Sequence, residues 1–116
     1  MSCKITDMKP SYIPNIFILD LYCDKGSIRM DLHKSVTIVQ KGDEVKITIS
    51  KTLPTYEEGK DFLAKGFVIT KREAENERFK ILISLWGFLV VIETSDQEIV
   101  NNFNYMDEIF FLMKKT

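Results

Sequence analysis

The chain has 116 residues, 45 % hydrophobic and 28 % charged, and its 16 Lys/Arg against 17 Asp/Glu leave a net charge of −1. That length fits one domain able to bury a core, and the composition excludes a disordered chain. Near-neutrality argues against a domain that lives mainly by gripping nucleic acid, and no apolar run approaches the roughly twenty residues of a membrane helix.

Residues 1–14 (MSCKITDMKPSYIP) are broken by Pro10 and Pro14 and read as an irregular lead-in, leaving 15–116 as the folded domain. Lys4, Asp7 and Lys9 interrupt any signal-peptide core. Cys3 and Cys23 lack metal-ligand spacing and cannot form a disulfide scaffold. They read as reduced thiols of an intracellular protein, Cys23 being a small core residue. A soluble, cytoplasmic-type domain is expected.

Ile16–Asp24 alternates, with Phe17, Leu19, Leu21 and Cys23 on one face. Lys25-Gly26 is a turn, after which Ile28, Met30 and Leu32 point inward, so the two segments read as a β-hairpin. Val36–Val39 continues the sheet, and Lys41-Gly42-Asp43 turns into Glu44–Lys51, where Val45, Ile47 and Ile49 alternate with polar residues. Pro54–Asp61 is a polar loop. Phe62–Lys71 is a strand whose interior Gly66 suggests a bulge or a bend. Arg72–Arg78 is a charged turn, and Phe79–Trp86 and Phe88–Glu93 are apolar strands hinged at Gly87. Ser95-Asp-Gln-Glu98 has the form of a capping box, predicting a short helix over 96–102. Tyr105–Lys115 closes the chain through the unbroken apolar run Ile109–Met113.

Seven or eight short strands and one short helix indicate an all-β fold. Val68, Phe88–Ile92 and Ile109–Met113 are too continuously apolar for an open sheet with one wet face. Closure into a small antiparallel β-barrel of OB type removes the edges, and is the expected architecture.

Catalytic chemistry finds no foothold. The single histidine, His33, lies on a polar strand face beside Asp31, with no second ligand to build a metal site. The adjacent carboxylates Asp43/Glu44, Glu57/Glu58 and Asp107/Glu108 point to opposite strand faces, so they make no shared acid–base pair. Neither a phosphate-cradling glycine motif nor a nucleophile elbow is present. No cofactor or metal is expected. Most aromatics read as core, although rings interleaved with Lys46, Lys65 and Lys80 could stack bases and track phosphates on an OB-type barrel. Trp86 differs, because the corner Trp86-Gly87-Phe88 places a large ring where it is half exposed or docked on a partner.

Four segments in order complete a resemblance. They are Leu21-Tyr-Cys-Asp followed by Ile28-Arg-Met-Asp-Leu32, then Gly42–Leu53, Ser84-Leu-Trp-Gly-Phe-Leu-Val-Val-Ile92, and Ile109-Phe-Phe-Leu-Met-Lys-Lys115. Together they resemble the eighth small common subunit of eukaryotic nuclear RNA polymerases and, in compact length, its archaeal counterpart, the G subunit of RNA polymerase. The similarity spans roughly 19–115. It implies an OB-type barrel without catalytic residues that docks on the polymerase's largest subunit near the pore and funnel, among the other subunits, and supports assembly and stability. It also implies residence in the cytoplasm of an archaeal cell, or in the nucleus for a eukaryotic source. Two departures stand out. Eukaryotic members carry a long acidic loop where only Pro54–Asp61 is present, and the family's paired glycines are here Trp86-Gly87, so a side-chain anchor replaces a close backbone contact.

Two other readings compete. A free-standing OB module would bind single-stranded nucleic acid through Lys46, Lys65 and Lys80, with affinity falling steeply in salt. Weak contact of that kind is compatible with a polymerase role. A barrel holding a small ligand in its mouth is the third, disfavoured because small barrels are filled by their own side chains.

Overall fold

The period-two patterns become eight strands in the computed structural model, which describes residues 1–116. In chain order they are β1 (Ser2–Pro10), β2 (Ile16–Cys23), β3 (Gly26–His33), β4 (Glu44–Ser50), β5 (Phe62–Glu73), β6 (Phe79–Leu85), β7 (Phe88–Thr94) and β8 (Glu108–Lys115), with one helix, α1 (Gln97–Asn102), before β8. All pairings are antiparallel, and the sheet closes in the order β1-β2-β3-β7-β6-β5-β8-β4. The architecture is the small OB-type barrel that the sequence pointed to. Inward residues such as Ile5, Leu19, Met30, Ile47, Ile83, Val90 and Phe111 fill its interior as one apolar cluster.

Residues 2–10 correct the reading of 1–14 as an irregular lead-in. They form β1, whose Cys3 and Ile5 point into the core and whose pairing with β2 and β4 closes the barrel. Pro10 is the last residue of that strand, where its missing N–H interrupts no ladder. The strand also brings Cys3 opposite Cys23, their Cα atoms 4.0 Å apart, and the two form a disulfide. This overturns the expectation of reduced, separate thiols, which took Cys3 to lie outside the sheet.

Val36–Val39 does not extend the sheet. His33 ends β3, its Nδ1 accepting a hydrogen bond from the Ser35 N–H (3.0 Å), and a 3₁₀ turn follows over Lys34–Val36. In a closed barrel β3 already has β2 and β7 on its flanks, so no edge is left to join. The α1 cap also falls one residue beyond the expected Ser95. The buried Thr94 hydroxyl accepts the Asp96 N–H (3.0 Å), and Asp96 in turn accepts from Ile99 N–H (3.1 Å). At the other end Lys71 Nζ donates to the carbonyl of Val100 (2.9 Å) and to Asn104 (3.1 Å), holding α1 against the barrel.

Gly66 marks a corner rather than a bulge. A Cβ there would lie 2.0 Å from the Ser84 carbonyl oxygen, so only glycine lets β5 pass while it changes partners. Phe62–Phe67 pairs with β8 and Phe67–Glu73 with β6, the register irregularity falling later, between Val68 and Thr70.

Strand β8 lies between β4 and β5, both antiparallel to it. Ser50 ends β4 opposite Phe110, while Phe62 begins β5 opposite Met113. The connection 51–61 must therefore travel back along β8, and the filled interior leaves only the outer side. Leu112 fits that path: its side chain is 2 % exposed, yet it is not part of the interior cluster. Ion pairs Lys51–Asp107 (3.3 Å) and Asp61–Lys114 (3.4 Å) clip the two ends of the crossover to the β8 segment. Barrel closure alone was expected to bury both faces of Ile109–Met113. It buries Ile109, Phe111 and Met113; Leu112 is buried on the opposite face, along the path the crossover must take.

A candidate partner interface at the β6–β7 corner

Leu85 and Phe88 pair across the end of the β6–β7 hairpin, leaving Trp86 and Gly87 as a two-residue turn. Both have positive φ, 56° for Trp86 and 90° for Gly87, the combination of a type I′ turn that matches strand twist. Gly87 adopts it freely, and its N–H donates to Ser84 Oγ (3.1 Å). Trp86 does not: a bulky side chain in the left-handed region costs roughly 1–2 kcal/mol. The strain is not offset by burial, since Trp86 is 83 % exposed. Strained, solvated positions of this kind concentrate at functional contacts.

Beside the indole a groove of about 330 Å³ opens at this end of the barrel. Phe88 and Leu85, from the hairpin, and Phe62 and Ala64, from the start of β5, line it, and Phe88 also packs on the interior cluster. Asp31 and His33 of β3 and Ser35 of the 3₁₀ turn form a polar rim. His33 Nδ1 already accepts the Ser35 N–H, which leaves Nε2 as the ring's outward polar atom. The three corner residues named from sequence thus share one place with distinct parts: Trp86 projects, Gly87 turns, and Phe88 lines the groove.

Sequence reasoning missed a second apolar surface next to this corner. Leu89 and Val91 point outward from β7, opposite Ser84 and Leu82 of β6, and Phe67 of β5 stands on the other side of Ser84. Phe67, Ile69 and Leu89 are 47 %, 41 % and 38 % exposed. The run Phe88–Ile92 was expected to be covered on both faces, and it is not. The legible signal was the two-residue β6–β7 turn, far too short to lay any chain across the outer face.

The three lysines do not converge. Lys46 on β4 lies between Ser2 and Lys114. Lys65 on β5 stands over the Phe110 ring (5.8 Å) and pairs with Glu108. Lys80 on β6 sits between Glu93 and Arg72. Arg72 lies seven residues, about 23 Å, along β5 from Lys65 at the usual strand rise.

The corner's geometry does not by itself name a family, and the comparisons with known proteins do. The model of the RpbG family, described as the G subunit of DNA-directed RNA polymerase, matches residues 1–116. The subunit Rpo8 of DNA-directed RNA polymerase from Sulfolobus acidocaldarius is 33 % identical over 117 residues, 98 % of this chain and 95 % of that one. Rpo8 from Saccharolobus solfataricus is 26 % identical over 121 residues, 99 % and 91 % of the two chains. Among solved structures a cytoplasmic molybdate-binding protein aligns over 97 % of this chain and 87 % of that one, at 10 % identity and a TM-score of 0.43, too low to bear on fold or function. With the whole length matched and the barrel in place, the chain belongs to the RpbG family of DNA-directed RNA polymerase subunits.

Proposed function

We propose that the chain is a non-catalytic subunit that docks on the largest subunit of RNA polymerase, near the pore and funnel, and supports assembly and stability of the enzyme. The observation that carries this reading is Trp86: a strained, solvated indole at the mouth of an apolar groove is costly in a free chain. Burial in a protein interface repays that cost, and tryptophan is the residue most enriched among interface anchors. The open apolar face of Phe67, Ile69 and Leu89 extends the same side of the molecule. The long-range partner location follows the family resemblance, and residence in the archaeal cytoplasm follows the source of the relatives.

Purification of polymerase from native lysate through a tagged largest subunit, followed by stepwise dissociation in urea, tests the reading. The chain is expected in the subcomplex that retains the largest subunit, and Trp86→Ala is expected to lower its occupancy. Release with a subcomplex lacking the largest subunit would contradict the docking, and absence from purified polymerase would contradict the role altogether.

A further inference from the structure

Resting on that reading, we infer that the groove beside Trp86 takes a partner segment presenting one large apolar side chain next to a lysine or arginine, the cation pairing with Asp31. The groove's walls are the side chains of Phe62, Ala64, Leu85, Trp86 and Phe88, so an aliphatic or aromatic side chain is what gains by entering. Its charge is one-sided. Asp31 lines it, and no lysine or arginine does. Asp31 takes no part in any of the chain's ion pairs and accepts no hydrogen bond, although the next carboxylate across the sheet, Asp20, is held by Arg29 at 2.7 Å. A carboxylate without a partner at the lip of an apolar groove favours a cation, and strongly disfavours an acidic segment once water is expelled.

Trp86 is the chain's single tryptophan, so its fluorescence reports on this groove alone. Synthetic tryptophan-free peptides tiling the polymerase largest subunit can be titrated against the purified chain while the emission is followed. A blue shift is expected with peptides carrying an apolar residue beside Lys or Arg. Asp31→Asn is expected to weaken that binding roughly ten-fold, the scale of one charge-assisted pair, and to flatten its salt dependence. Incorporation into polymerase is read in parallel, with thermal melting as the check that Asp31→Asn and Asp31→Lys remain folded. Wild-type chain that joins the polymerase while Asp31→Lys joins equally well overturns the groove inference but leaves the polymerase reading standing. Wild-type chain that never joins overturns the polymerase reading itself. A blue shift that grows with protein concentration in the absence of any peptide identifies a second copy as the occupant, and tightest binding by peptides without a cation identifies a purely apolar site; either result overturns the inference.

Discussion

Strands β7 and β8 carry the two longest apolar runs of the barrel, Phe88–Ile92 and Ile109–Met113, and meet opposite fates. Both send alternate residues into the same interior: Val90 and Ile92 from one, Ile109, Phe111 and Met113 from the other. Their outer faces differ. On β8, Leu112 is 2 % exposed on the outer side, along which the crossover from β4 to β5 must run. On β7, Leu89 is 38 % exposed, because β6 is joined to it by a two-residue turn and its other neighbour, β3, leads on to β4, so no single connection has to join the two strands that flank it. An apolar outer residue is therefore structural where the topology forces chain across it, and available to another protein where it does not.

The comparison can be broken most severely by removing 109–116. The truncation strips both β4 and β5 of a partner, and it is expected to abolish cooperative unfolding; a truncated chain that still melts cooperatively by circular dichroism refutes the account of β8. Next in size, Leu112→Ala is expected to cost about 2–3 kcal/mol in urea denaturation, as for a buried core leucine. A cost near zero would mean that the crossover does not pack on β8. The matching substitution on β7, Leu89→Ala, is expected to shift stability by no more than about 0.5 kcal/mol, while lowering the chain's retention in the polymerase during a salt wash. A stability loss as large as that of Leu112→Ala would erase the contrast.

The smallest effect concerns pH. Asp107, which clips the start of the crossover, has its carboxyl held below the ordinary value of 3.8, first by the Asn104 N–H (2.8 Å) and then by Lys51. A carboxylate with a lowered folded value contributes stability that is complete above its ordinary value and is lost as pH falls through the lowered one. Wild type is thus expected to melt above Asp107→Asn at neutral pH, the gap closing on acidification below about pH 4. A gap that stays constant to pH 2 would show that the carboxylate charge plays no part.

Much of the fold was legible because period-two alternation is a local property. The strands from Ile16 to His33, Glu44 to Ser50, and Phe62 to Thr94 followed from which residues were apolar and where glycine or a charged turn broke the pattern. The first strand was not legible, since two prolines outweigh a short alternation of Cys3 and Ile5 when no partner strand is known. The disulfide went unseen with it, because Cys3 and Cys23 are neighbours only across the ladder. At the candidate site, the corner Trp86-Gly87-Phe88 could be named from residue types alone. Asp31, Phe62 and Ala64 could not, for they reach the groove from β3 and β5.

By itself, then, the sequence determined the period, the turns, the all-β class and an aromatic at an exposed corner, all set by interactions within a few residues. Only the tertiary structure decided which outer faces are covered. That depends on strand order: β8 lies between the two strands that one connection must join, and β7 does not. Identical apolar side chains are buried on one strand and left exposed on the other for that reason.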